Sequence, residues 1–213
     1  MQTLIKICGI SSVEALDACI EARADFFGMV FFPPSPRHVD SYAASSLAMR
    51  AGSRIGRVGL FVDADDATIA DAVKAARLDA IQLHGSESPA RAAQIRGRFN
   101  LPVWKAISVA NAGDITEAGT FNDAADLILF DAKTPKDAAL PGGMGLRFDW
   151  SLLETWRGRP GWGLAGGLTP DNVGRALSGT GAPLVDTSSG VETGPGLKDP
   201  SRISAFCEAV HKA

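Results

Sequence analysis

Along this chain, short and almost wholly apolar runs alternate with longer stretches in which apolar residues recur every three or four positions. The short runs fall at 3–8, 26–31, 57–62, 80–84, 103–107, 126–130, 161–165 and 183–187. Continuous rather than alternating hydrophobicity is the pattern of a strand covered on both faces, so these runs predict the strands of a parallel sheet. The intervening stretches carry helix start signals. Ser11 to Glu14 has the spacing of a capping box, and Ser88-Pro89 and Thr169-Pro170 each set a hydroxyl before a proline at the first helical position. Asp65 or Asp66 can cap the stretch that runs to Leu78. The segments after Asp40, Ala112, Asp149 and Pro200 also read as helices, the one after Ala112 weakened by Gly113 and Gly119.

Strand starts recur at roughly 23-residue intervals in several places, about the length of one strand-helix unit. Eight such units in order predict an α/β fold, a single-domain (β/α)8 TIM barrel over 1–213, near the short end of the size range for that fold. The competitor is an open doubly wound sheet, but the first strand leads into no G-x-G-x-x-G turn. In a barrel the C-terminal strand ends meet at one mouth, and the two longest connections, 31–40 and 131–149, both follow a strand there.

The residues that end the strands therefore hold the candidate chemistry. Gly166 and Gly167 follow the seventh run, and Ser188, Ser189 and Gly190 follow the eighth. Either loop alone reads as a tight turn; two adjacent loops offering backbone amides and hydroxyls predict a phosphate site. Cys8 and Asp131 end the first and sixth runs, three strands apart around a closed barrel and so nearly opposite each other. That placement suits proton removal on one side of a ligand and proton delivery on the other. Taken alone, Cys8 is more simply a core thiol, and Asp131 is equally a cap or an acid held neutral by the apolar run before it. As a base, Cys8 is favoured as thiolate by the helix start near Ser11 and by a cation such as Lys6. Arg37, in a proline-rich loop, reads as a fork for a carboxylate or as a solvated surface residue. Asp186 points into the mouth, where it can hold a sugar hydroxyl, or into a turn. His84 reads as a structural hydrogen-bonder and Asp63 as a cap of the helix that follows it.

Composition removes several function classes. A net charge of −3 with acids and bases mixed along the chain leaves no basic stripe for a nucleic-acid backbone. No apolar run nears the roughly 20 residues of a spanning helix, and the first residues lack a secretory pattern, so the expectation is a cytoplasmic protein with no membrane partner. The three cysteines, Cys8, Cys19 and Cys207, have neither disulfide nor zinc spacing, and Cys19 and Cys207 lie in amphipathic stretches as small core residues.

Six segments in order carry a resemblance to the phosphoribosylanthranilate isomerase family, over the whole chain. They are KICG at 6–9, FFPPSPR at 31–37, QLHG at 82–85, Phe130-Asp131 with PGGMG at 141–145 and FDW at 148–150, LAGGL at 164–168, and DTSSGVE at 186–192. The resemblance implies an Amadori rearrangement of a phosphosugar substrate in tryptophan biosynthesis, with no metal or organic cofactor. It implies Asp131 as general acid, Cys8 as general base, Arg37 near the anthranilate end, and Gly166, Gly167, Ser188, Ser189 and Gly190 around the phosphate. Met144 stands where the family usually has a hydroxyl residue. Monomer and homodimer are both compatible. The alternatives are another phosphosugar barrel, against which the thiol at Cys8 argues, and a phosphate-ligand binding module without catalysis.

Overall fold

The computed structural model describes residues 2–132 and 148–213. Met144 and the glycines of 141–145 lie outside the described residues. Eight parallel strands close in sequence order: β1 (Leu4–Cys8), β2 (Phe26–Val30), β3 (Gly56–Phe61), β4 (Ala80–Leu83), β5 (Val103–Val109), β6 (Leu127–Ala132), β7 (Gly161–Leu164) and β8 (Leu184–Thr187). The barrel seam pairs Lys6 of β1 with Asp186 of β8. Every run expected to be a strand is one. Asp131 lies inside β6 rather than just beyond it, because β5 and β6 stay paired through Ser108–Asp131 and Val109–Ala132.

The outer ring holds α1 (Val13–Glu21), α2 (Ser41–Ala51), α3 (Asp66–Ala76), α4 (Pro89–Phe99), α5 (Ala112–Ala118), α6 (Val173–Thr180) and α7 (Pro200–His211). Side-chain caps start most of them. Asp40, Asp65, Ser88 and Asp199 accept from backbone N–H groups in the first turn, and Asn111 with Asp114 forms a capping box that offsets the weak sequence of α5. Three expectations shift, and one element is new. The cap of α1 is Ser12, whose hydroxyl accepts from the Ala15 N–H, not Ser11. Thr169 does not cap α6: Asn172 opens that helix, and its side chain ties back to the Thr169 N–H and the Gly167 carbonyl. The segment after Asp149 is a 3-10 turn, Trp150–Thr155. A hairpin of β9 (Glu192–Gly194) and β10 (Leu197–Lys198) follows β8, too short for periodicity to reveal.

Strand alternation sorts side chains to two faces. Ile5, Ile7, Phe27, Met29, Phe61, Ile81, Val103, Ile128, Phe130, Leu164 and Val185 face outward and merge with Leu16, Leu47, Ile69, Ile95, Ile115, Val173 and Phe206 of the helices in one core. Cys19 and Cys207 are buried in that core, and burial pushes the Cys207 thiol up to about 12. Truncating a side chain such as Phe27 to alanine costs about 3–5 kcal/mol. Inside the barrel, Val58, Ala80, Trp104, Ala106, Leu129 and Leu184 form a separate apolar plug.

Candidate active site

Above the plug the same inward rows turn polar. Two residues beyond Leu184 comes Asp186, two beyond Ala80 comes Gln82, two beyond Leu129 comes Asp131, and β1 contributes Lys6 and then Cys8. The period of two therefore delivers these side chains to the mouth.

Lys6 and Gln82 are fully buried. The Lys6 ammonium donates to both oxygens of Asp186 at 2.9 Å. Burial pulls against the Lys6 cation, but Asp186, with Cys8 beside it, outweighs burial and holds it charged. Burial pushes the Asp186 carboxyl up, against the pull of Lys6; nearby Asp131 adds to the rise. The Cys8 thiol is likewise pushed up by burial, with Lys6 opposing. Lys6 acts in the expected sense, yet the net direction is away from thiolate. Val30, Leu60, Phe32 and Val62 form the apolar wall that causes it. Gly28 makes the convergence possible: a Cβ there would stand 2.9 Å from the Cys8 sulfur and 3.2 Å from the Lys6 nitrogen.

Across the mouth, Asp131 Oδ1 accepts from the Ala132 N–H at 2.8 Å, and Oδ2 lies 3.4 Å from Nε2 of His84. Gly166, at φ +84, lets loop seven approach this carboxylate, since a Cβ there would meet Asp131 Oδ1 at 2.8 Å. His84 Nδ1 is 3.1 Å from the Gln82 amide nitrogen.

Gly166 and Gly167 both have positive φ, which aims their backbone differently from any ordinary turn residue. Ser189 and Gly190 lie in a short 3-10 turn opened by Ser188. Gly190 is held against loop seven, where a Cβ would run into the Leu168 carbonyl. The expected phosphate residues thus share one rim of the mouth.

Arg37 is buried, and its Nε and Nη2 donate to the two oxygens of Glu192 at 2.8 Å each. Lys198 donates to Glu192 Oε1 at 2.6 Å and to the Ser188 carbonyl and hydroxyl at 2.9 and 3.1 Å. Burial works against the Glu192 carboxylate, but Arg37 and Lys198 hold it below the usual range. Burial pulls Lys198 down, with Glu192 opposing. Glu192, which ends the 186–192 segment, had no role in the sequence, and Lys198 was not singled out; both belong to the hairpin, whose signal was absent. Asp63 also departs from expectation. It sits at φ +49, accepts from the Ser86 N–H and leaves the cap of α3 to Asp65.

A closed parallel barrel of eight strands ringed by helices, with two glycine-bearing loops on one rim and the Cys8 thiol and Asp131 carboxylate at the same mouth, defines a protein of the (β/α)8 class. Within that class the match is specific. The family model for N-(5'phosphoribosyl)anthranilate (PRA) isomerase matches residues 5–209, and the chain belongs to that family. It is 49% identical over 209 residues to N-(5'-phosphoribosyl)anthranilate isomerase of Paramagnetospirillum magneticum, covering 98% of this chain and 97% of the relative. The crystal structure of the Thermotoga maritima isomerase superposes with a TM-score of 0.88 at 34% identity, covering both chains completely. An isomerase in complex with reduced 1-(o-carboxyphenylamino)-1-deoxyribulose 5-phosphate superposes with a TM-score of 0.85 at 32% identity, again over both whole chains.

Proposed function

We propose that this chain, as one (β/α)8 domain, catalyses the Amadori rearrangement of N-(5-phosphoribosyl)anthranilate to 1-(2-carboxyphenylamino)-1-deoxyribulose 5-phosphate in tryptophan biosynthesis, with Asp131 as acid and Cys8 as base. Asp131 gives its proton to the ribose ring oxygen as the C1–O bond breaks, opening the ring to a Schiff base. Cys8 takes the proton from C2, and its electron pair moves toward C1 to give the enolamine. Loss of the C2 hydroxyl proton and gain of one at C1 complete the ketone, with no net oxidation. The observation that carries the assignment is the position of Cys8 and Asp131 at the mouth ends of inward rows, three strands apart in a barrel of this family.

Burial of Cys8 fits this role. A thiol pushed up yields, once deprotonated, a stronger base than an ordinary thiolate, which suits abstraction of a carbon-bound proton. Gly166, Gly167, Ser188, Ser189 and Gly190 take the phosphate. Arg37, oriented by its two bonds to Glu192, takes the anthranilate carboxylate. Asp186 keeps a sugar hydroxyl within reach while paired with Lys6. Among the described residues no helix is long and apolar enough to cross a membrane; cytoplasmic action as monomer or homodimer completes the proposal.

The test is loss of anthranilate-type fluorescence on adding the protein to freshly generated substrate. Cys8→Ala and Asp131→Asn are each expected to lower kcat by roughly 10²- to 10⁴-fold. Wild-type turnover by either variant removes that residue from the scheme.

A further inference from the structure

The His84 imidazole lies between two side chains of different chemistry. Its Nδ1 is 3.1 Å from the amide nitrogen of Gln82, and its Nε2 is 3.4 Å from Oδ2 of Asp131. Gln82 is fully buried, and its other amide atom, Oε1, has no hydrogen-bond partner among the described residues. An amide nitrogen is a donor only, so the Nδ1 that faces it is the unprotonated acceptor, and the ring proton sits on Nε2. Nε2 is the ring nitrogen that lies 3.4 Å from Oδ2 of Asp131.

We propose that His84 is a positioning residue for the acid: Gln82 sets its tautomer, and its Nε2–H holds Oδ2 of Asp131. This rests on the reading of Asp131 as proton donor. When Asp131 gives up its proton, the bond from His84 becomes a charge-assisted one to a carboxylate, stronger than the same bond to the neutral acid. The interaction therefore grows as the reaction proceeds, which is the condition for lowering a barrel-mouth barrier rather than only tightening binding. The 3.4 Å separation shortens in the complex, as catalytic contacts commonly do once substrate is bound. The alternation of β4 accounts for the relay: Gln82 and His84 are both inward residues two apart, so an orienting amide lies directly below an oriented imidazole. Gly85 follows immediately, and there a Cβ would press on the Asp63 carboxylate, so the chain turns away tightly after placing the ring.

Two readouts test this. The first is the nitrogen-15 spectrum of histidine-labelled protein, which has three histidines, with His84 assigned by its loss in His84→Gln. The Nε2–H tautomer is expected in wild type, and Gln82→Leu is expected to mix the two tautomers; a wild-type Nδ1–H tautomer overturns the proposal. The second is kinetic. In His84→Leu, kcat is expected to fall by up to about 100-fold with KM little changed, the size of effect a misplaced catalytic group produces. His84→Gln, whose side-chain nitrogen can reach the place of Nε2, is expected to recover most of that loss, and it also controls for a failure of the leucine variant to fold. Combining His84→Leu with Asp131→Asn is expected to add nothing to Asp131→Asn alone. If Asp131→Asn is inactive while His84→Leu turns over normally, the inference fails and the acid assignment stands. If Asp131→Asn turns over normally, the acid assignment fails and this inference with it.

Discussion

Two buried lysine-carboxylate pairs occupy opposite faces of the same sheet and do different work. Lys6 meets Asp186 at 2.9 Å inside the barrel, and Lys105 meets Glu87 at 3.0 Å on its outer face, near the Phe121 ring. The outer pair is closed by backbone. Lys105 also donates to the Gly85 carbonyl, while Glu87 accepts from the Asp63 and Gly85 N–H groups. It pins two loops to β5. The inner pair spends two of three ammonium N–H bonds on Asp186, and its remaining surroundings are titratable: Cys8 beside Lys6, and Asp131 and His84 within electrostatic reach of Asp186. Burial of an ion pair therefore does not mark function; the identity of its other neighbours does.

Breaking the inner pair gives the largest expected effect. Lys6→Met leaves Asp186 buried without its cation, a change expected to cost about 3–5 kcal/mol by urea unfolding and to depress turnover as well. Adding Asp186→Leu is expected to restore most of the stability, since replacing both members by apolar groups is often neutral or better, but not the turnover. A double variant as unstable as the single one removes the view that the unpaired carboxylate is the source of the cost.

The outer pair supplies the contrast. In Lys105→Met, Glu87 keeps its two backbone donors, so the expected loss is smaller, about 1.5–3 kcal/mol, with kcat and KM of the folded enzyme unchanged. A kinetic defect of the same size as that of Lys6→Met erases the distinction between the two sites.

The difference between the pairs also measures what a sequence can disclose. All eight barrel strands were legible, because a strand covered on both faces needs an apolar run and each run lies between clear caps or turns. Cys8, Asp131 and the two glycine-bearing loops were legible as strand ends. The Lys6–Asp186 pairing was not, since it is set by barrel closure between residues 180 apart in the chain. Glu192 and Lys198 were hidden for another reason: a hairpin of three and two residues is too short to show periodicity. His84 was read as structural because its significance depends on Asp131, which reaches it from two strands away. The cap at Ser12 instead of Ser11 shows one limit of motif spacing, because either of two adjacent hydroxyls fits the pattern; α6 shows another, since no side chain caps it and Asn172 Oδ1 accepts from the Thr169 N–H instead.

The smallest effect is the sharpest test of the comparison, because it reads charge rather than folding. The ordinary thiol value is about 8.5, and burial raises Cys8 from its usual range with Lys6 pulling it back. A group whose folded value is raised loses stabilisation as pH climbs from the unfolded toward the folded value, so Cys8 contributes a decline in stability on the alkaline side only. The rising limb of kcat/KM against pH is expected to lie above the ordinary thiol value for the same reason. Removing Lys6 deletes the lowering influence and moves the limb further up, whereas Lys105, on the other face of the sheet, leaves it in place. The rate of iodoacetamide labelling at Cys8, followed by peptide mass across a pH series, reports the same midpoint without substrate. Cys207 and Cys19 are buried in the outer core, where burial pushes both thiols up, so peptide mass separates their labelling from that of Cys8. A midpoint in Lys6→Met at or below that of wild type means that the buried ammonium does not govern the thiol, and the two pairs then differ in position alone.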